Sequence, residues 1–208
     1  MVMEKLDDLL VNIRQCQLCA AALPLPPKPI LQASSGARIL IAGQAPGRKT
    51  HDKGIPFDDA SGDRLRAWLG VSREQFYDPQ VFAIIPMGFC FPGDKLATSG
   101  KNKGKKTGDN PPRRECAAHW HQALLAQLPN IELTLILGQY AIDYYINSST
   151  GEKLTVSDAV AYWQQLLPSR LALPHPSPRN YRWLTQHPEF EREVVPALQT
   201  RIAQLMMR

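Results

Sequence analysis

Four cysteines, one glycine-flanked turn and one histidine held between prolines are the residues of this chain whose types and spacing could do chemistry. Cys16 and Cys19 form a C-x-x-C, and Cys90 and Cys116 lie far downstream. Disulfides are disfavoured in a reducing compartment. Four thiols with one close pair suit a metal instead, either tetrahedral zinc or a cubane iron–sulfur cluster. Spacing does not separate the two, and His119 and His121 stand as competing zinc ligands. The plainer alternatives are four unrelated buried cysteines or a C-x-x-C redox pair.

Gly43-Gln44-Ala45-Pro46-Gly47 follows a short apolar run, and its glycines permit close backbone approach to a ligand. It lacks the G-x-x-x-x-G-K of a phosphate loop, and an ordinary strand-to-helix turn has the same composition. Further on comes Pro174-His175-Pro176-Ser177-Pro178-Arg179-Asn180. Three prolines fix the backbone around one histidine and one serine, which suits a catalytic loop whose rotamers must be held. A lone histidine is more often structural, but one immobilised at the end of a strand is a candidate.

The charge is localised. The chain has 24 Lys and Arg against 19 Asp and Glu, a net charge of +5. Seven bases and two acids between Asp94 and Arg114 carry all of it: Lys95, Lys101, Lys103, Lys105, Lys106, Arg113 and Arg114 against Asp94 and Asp109. A confined basic segment points to a polyanion partner, or else to a solvated insertion.

These residues need a scaffold, and 208 residues with 44% hydrophobic and 21% charged side chains supply one. The length suits one domain over residues 1–208, and the composition excludes extended disorder. No apolar run approaches the roughly 20 residues of a membrane span. The start, MVMEKLDDLLVNIRQC, lacks a signal peptide's basic and apolar regions. A cytoplasmic protein is expected, with no membrane partner.

Leu6, Leu9, Leu10 and Ile13 predict an amphipathic helix over residues 3–14. Pro24 to Pro29 predicts an extended arm. Strands are predicted at Arg38–Ala42, Val81–Ile85, Leu133–Leu137 and Leu171–Leu173. Arg48 to Ala60 reads as a polar loop, and Ser61 as the cap of a helix that Gly70 closes. Helices are predicted over Glu115–Leu128, over Gln139–Ile146, from the capping box at Thr155 to Leu167, and over Pro188–Met207 with a break at Pro196. Strands separated by helices predict a three-layer α/β/α sandwich with a mostly parallel four-stranded sheet. The site then lies beyond the strands' carboxyl ends, at Gly43, Pro86, Gly138 and Pro174.

In their fixed order these motifs resemble the uracil-DNA glycosylase superfamily, and most closely its iron–sulfur branch, family 4. That branch has an N-terminal C-x-x-C, G-E-A-P-G after the first strand, then G-x-P-F. A third cysteine, a fourth beyond a proline-rich loop and a C-terminal histidine motif complete it. Here these read Cys16/Cys19, Gly43–Gly47, Gly54-Ile-Pro-Phe57, Cys90, Asn110-Pro-Pro-Arg-Arg-Glu-Cys116 and His175. The string His-Pro-Ser-Pro-Arg-Asn is closer still to the single-strand-selective monofunctional uracil glycosylases.

The resemblance implies a DNA glycosylase that flips a deaminated base, uracil by default, out of damaged DNA and hydrolyses its N-glycosidic bond. It implies that Phe57 stacks on the base and that His175 stabilises the negative charge of the leaving base. Gly43, Gln44 and Ala45 would line the pocket. Ser177, Arg179 and Asn180 would meet DNA, with Arg179 at the wedge position. Cys16, Cys19, Cys90 and Cys116 would hold a structural [4Fe-4S] cluster, and the basic segment would lie beside it as a phosphate clamp. A monomer is expected.

Two departures bear on the chemistry. The family-4 motif has Glu where this chain has Gln44, and a neutral amide orients water without taking its proton. Either His51 or Asp52 then supplies the base, or the water is merely positioned. The family's uracil-reading asparagine is Pro86 here, with no donor at all; Gln139 is a possible substitute amide. These departures favour an alternative, a non-catalytic DNA-binding module of the same fold. A third reading is a zinc-stabilised enzyme acting on nucleotides or RNA.

Overall fold

The structure, a computed structural model, describes residues 5–151 and 153–207. Met3 and Glu4 of the first expected helix lie outside the described residues. In chain order the regular elements begin with α1 (Leu6–Arg14), β1 (Ile39–Ala42), α2 (Arg48–Lys53), α3 (Ala60–Leu69), α4 (Arg73–Phe76) and β2 (Phe82–Ile84). Then come β3 (Asp94–Leu96), β4 (Lys106–Asp109), α5 (Arg114–Ala126), β5 (Leu133–Leu137) and α6 (Gln139–Ile142). The last are α7 (Ser148–Thr150), α8 (Val156–Ala161), α9 (Trp163–Leu166), β6 (Arg170–Leu173), α10 (Tyr181–Gln186) and α11 (Val195–Met206).

Strands β2-β1-β5-β6 form a parallel four-stranded sheet in that order. The alternation of β1 explains the layers. Ile39 and Ile41 pack into one core with Leu65, Trp68, Leu198 and Ile202 of α3 and α11. Leu40 faces the other way, into a core with Leu9 and Ile13 of α1 and Leu124 of α5. Successive side chains of a strand point to opposite faces, so a wholly apolar strand must be covered twice. The result is the three-layer α/β/α arrangement. The arm before β1 runs along the edge of the sheet, where Gln32 bridges Ile84 antiparallel.

Several local expectations change. Arg48 to Lys53 is helical rather than a loop, closed by Gly54 at φ 76°. The cap of α3 is Asp59, not Ser61; its carboxylate accepts the Ser61 and Gly62 N–H groups, each at 3.0 Å. The lysine-rich segment is a hairpin, β3 against β4. The helix expected over Gln139–Ile146 continues through a π-helical stretch, Asp143–Asn147. The helix opened by Thr155 breaks at Tyr162. The break expected at Pro196 is a change of helix type: a π-helical stretch, Phe190–Val194, passes directly into α11 beside the proline, which has no N–H to continue the ladder.

Candidate base pocket and cysteine cavity

A pocket opens at the carboxyl ends of β1, β2 and β6, where parallel sheets of this kind place ligands. Its lining includes Gly43 to Thr50, Phe57, Asp59, Pro86, Lys106, Asp109, His175, Ser177 and Arg179. The Gly43 and Gln44 carbonyls accept the Met87 and Gly88 N–H groups at 2.8 and 3.0 Å, which stitches the first turn to the segment leaving β2.

Phe57 holds an uncommon backbone, φ 54°. Left-handed geometry costs a non-glycine residue about 1–2 kcal/mol, so its surroundings must hold it. Its carbonyl accepts from Arg66 Nη1 at 3.2 Å, and its ring meets Phe76 edge-on at 6.2 Å. A Cβ on Gly62 would stand 1.7 Å from the Phe57 carbonyl oxygen, so only glycine admits this turn. The ring reaches towards Gly43, whose added Cβ would lie 3.8 Å from its tip.

His175 leaves β6 inside its proline frame. Its Nδ1 accepts the Ser177 N–H at 3.2 Å, so the neutral ring carries its proton on Nε2. Burial pushes the imidazole below its ordinary value, against weaker opposing pulls from Asp59 and Asp109. Asn180 does not line the pocket; its Nδ2 donates to the His175 carbonyl at 2.8 Å and staples the loop. Arg64 Nη1 donates to the Ser177 carbonyl at 3.1 Å from α3. Ser177 Oγ accepts the Arg179 N–H at 3.2 Å.

The structure separates other candidates from the pocket. Asp52 is an exposed partner of Arg48 at 3.0 Å and is not part of the lining. The His51 ring lies 6.1 Å from Phe91, also outside the lining. Gln139 Nε2 donates to Asp143 Oδ1 and to the Leu154 carbonyl, both at 2.9 Å, and lies outside the lining as well. His119 packs on Trp120, and His121 is buried with Nε2 3.1 Å from the Pro86 carbonyl oxygen; neither lines the cysteine cavity. Sequence reasoning missed Asp59, Lys106 and Asp109. In the sequence the last two stand out only as charges of the basic segment.

The four cysteines meet in a second, more apolar cavity, walled also by Leu18, Leu23, Pro27, Pro29 and Phe89. Burial pushes the Cys90 thiol up to about 11 and Cys116 up to about 12. Trp120 Nε1 donates to Cys16 Sγ at 3.3 Å and the Phe89 N–H to Cys116 Sγ at 3.4 Å. Among the described residues, no three His, Cys, Asp or Glu side chains are grouped closely enough to hold one metal ion. Four thiols facing one cavity, two of them with N–H donors already aimed at sulfur, suit a thiolate-bound group, whose positive charge would displace their protons.

A pocket at the carboxyl end of a parallel sheet, with an aromatic ring and a fixed imidazole, offers a stacking face and a hydrogen-bond donor of the kind a planar base bearing a carbonyl would need. The chain belongs to the uracil DNA glycosylase superfamily, whose family model matches residues 32–199. It is 29% identical over 158 residues to a type-4 uracil-DNA glycosylase of Archaeoglobus fulgidus, covering 74% of this chain and 70% of the relative. Cys16 and Cys19 precede the matched family segment.

Proposed function

We propose that this chain is a monofunctional DNA glycosylase of base excision repair that releases a flipped-out deaminated base, uracil by default. It works as one domain over residues 1–208, as a cytoplasmic monomer. The observation that carries the reading is the His175 ring: with Nδ1 occupied by the Ser177 N–H, its Nε2–H is the donor left for a base carbonyl.

Phe57 offers its face to the base. Gly43 and Ala45 let the backbone approach it, and Pro86 closes the pocket without reading the base edge. As the C1′–N bond breaks, its electron pair moves onto the base, and the Nε2–H hydrogen bond stabilises the resulting anion. A neutral imidazole suits that role, and burial keeps it neutral. Gln44 orients polar groups in the pocket without serving as a base. Ser177 and Arg179 face the DNA backbone, Arg179 as the wedge, with Asn180 holding their loop. Asp52, exposed, paired with Arg48 and absent from the pocket lining, takes no catalytic part.

Cys16, Cys19, Cys90 and Cys116 would hold a [4Fe-4S] cluster, which would tie the segment after α1 to the segment leaving β2 and to α5. Four thiols sharing a cavity without crowding one point suit a cluster, in which each sulfur binds its own iron, better than one tetrahedral zinc. The brown colour of protein purified without oxygen, with absorbance near ~400 nm, distinguishes the two.

The deciding experiment is base release from oligonucleotides carrying uracil, hypoxanthine or xanthine. Release abolished by His175→Ala supports the glycosylase and names its substrate. Folded, brown protein that binds DNA but frees no base would be the non-catalytic module, with Gln44 and Pro86 as the reason.

A further inference from the structure

The pocket has lost the carboxylate of the G-E-A-P-G motif, yet it has not lost carboxylates. Two line it, Asp59 and Asp109. Asp59 Oδ1 is occupied by the Ser61 and Gly62 N–H groups as the cap of α3. Asp109 ends β4 and comes from the inserted hairpin. Its Oδ2 lies 3.3 Å from the place a Cβ on Gly47 would take, so it faces the backbone of the glycine turn. Its Oδ1 is buried, 3.0 Å from Lys106 Nζ but without a hydrogen bond in good geometry. Asp109 is also close enough to His175 to act on that ring's charge.

Gln44 explains how this carboxylate is held. Its Nε2 donates at 3.1 Å to the carbonyl of Asn110, the residue next to Asp109. A glutamate at position 44 has no hydrogen to give there. The neutral side chain therefore clamps the hairpin's return strand against the first turn. Asn110 is tied a second time, its N–H donating to the Gly93 carbonyl at 2.8 Å.

We propose that Asp109 is the catalytic carboxylate for the attacking water, and that Gln44 is a positioning residue that docks it. This rests on the glycosylase reading above. The C1′–N bond breaks with its electron pair on the base. The water oxygen forms the new bond to C1′ and passes its proton to the Asp109 carboxylate, which returns it to solvent. In the same place the carboxylate's negative charge stabilises the oxocarbenium-like sugar. The hairpin is then more than a phosphate clamp, because it carries part of the active site.

The test is single-turnover base release from an oligonucleotide from which wild-type protein frees the base, alongside DNA binding and the absorbance band at ~400 nm. Asp109→Asn is expected to slow release about 10²–10⁴-fold, the usual range for a lost acid–base group, with binding and absorbance unchanged. In Asp109→Ala, added sodium formate is expected to restore part of the rate by supplying the missing carboxylate, a rescue that a structural role would not give. Gln44→Glu in the Asp109→Asn background is expected to recover activity, because it returns a carboxylate to the same turn. Wild-type rates in Asp109→Asn overturn the assignment and leave the glycosylase reading standing. If Asp109→Asn fails to fold, formate decides: a slowed Asp109→Ala protein that formate does not rescue overturns it too. Wild-type protein that frees no base from any of the three substrates overturns both readings.

Discussion

The base pocket and the cysteine cavity share a wall and little else. The segment leaving β2 gives Pro86 to the first and Gly88, Phe89 and Cys90 to the second. The cavity is walled mostly by prolines, leucines and aromatics, with Arg113 as its charged side chain, and burial drives the Cys90 and Cys116 thiols towards their protonated forms. The pocket is polar and charged, with Arg48, Asp59, Lys106, Asp109 and Arg179 around a single imidazole. One is fit to hold a group permanently, the other to admit a substrate and let it go. The difference shows how adjacent sites in one fold can differ in polarity: mostly apolar side chains wall one, and charged loops surround the other.

The largest expected effect separates the sites by stability. Cys116→Ser, or removal of the proposed cluster by a chelator, should bleach the protein and destabilise it by several kcal/mol, since metal-binding energy is folding energy. Differential scanning calorimetry measures this, and an unchanged melting temperature would sink the structural role. His175→Ala is expected to do the reverse: colour and melting temperature hold while single-turnover release falls about 10²–10³-fold, as for a lost oxyanion donor.

Acid should weaken the fold between the two sites. Burial holds the His121 imidazole down to about 4, beneath Pro86. The unfolded chain takes up protons first, so this contribution is complete above about pH 6.5 and is lost as pH falls towards 4, a total on the order of 3 kcal/mol. Urea denaturation at pH 7 and pH 4.5 tests it, and His121→Gln should flatten the dependence. His175, also lowered by burial, has the same sign.

Two smaller effects sharpen the pocket's side of the comparison. Phe57→Ala should weaken engagement of damaged DNA by about 1–3 kcal/mol, as for a lost stacking face. Unchanged KM and kcat would make Phe57 only a core residue. Replacing Lys101 with alanine on the exposed hairpin should lower the salt dependence of DNA binding by about one phosphate contact. A shift in base selectivity instead would mean that the hairpin reads the base.

Much of the scaffold was legible. Four apolar runs became the four strands of the sheet, because a strand buried on both faces needs no partner to announce it. Thr155 and Asp158 form the expected capping box. The hairpin was not legible, because β3 and β4 are largely exposed and polar and carry no alternation. Asp52 looked like the nearest carboxylate only because it is close in sequence to Gly43. The first turn of α2 pairs it with Arg48 and turns it away from the pocket.

By itself the sequence determined the alternating α/β order, the four thiols, and the proline frame that fixes His175, since each depends on local pattern or residue type. Only the tertiary structure decided that the sheet runs β2-β1-β5-β6, that the cysteines share one cavity, and that Gln44 draws Asn110 and Asp109 to the glycine turn. Those contacts join residues up to about a hundred positions apart, Cys16 and Cys116 among them. Burial of both sheet faces selects such pairings, and no local pattern encodes them.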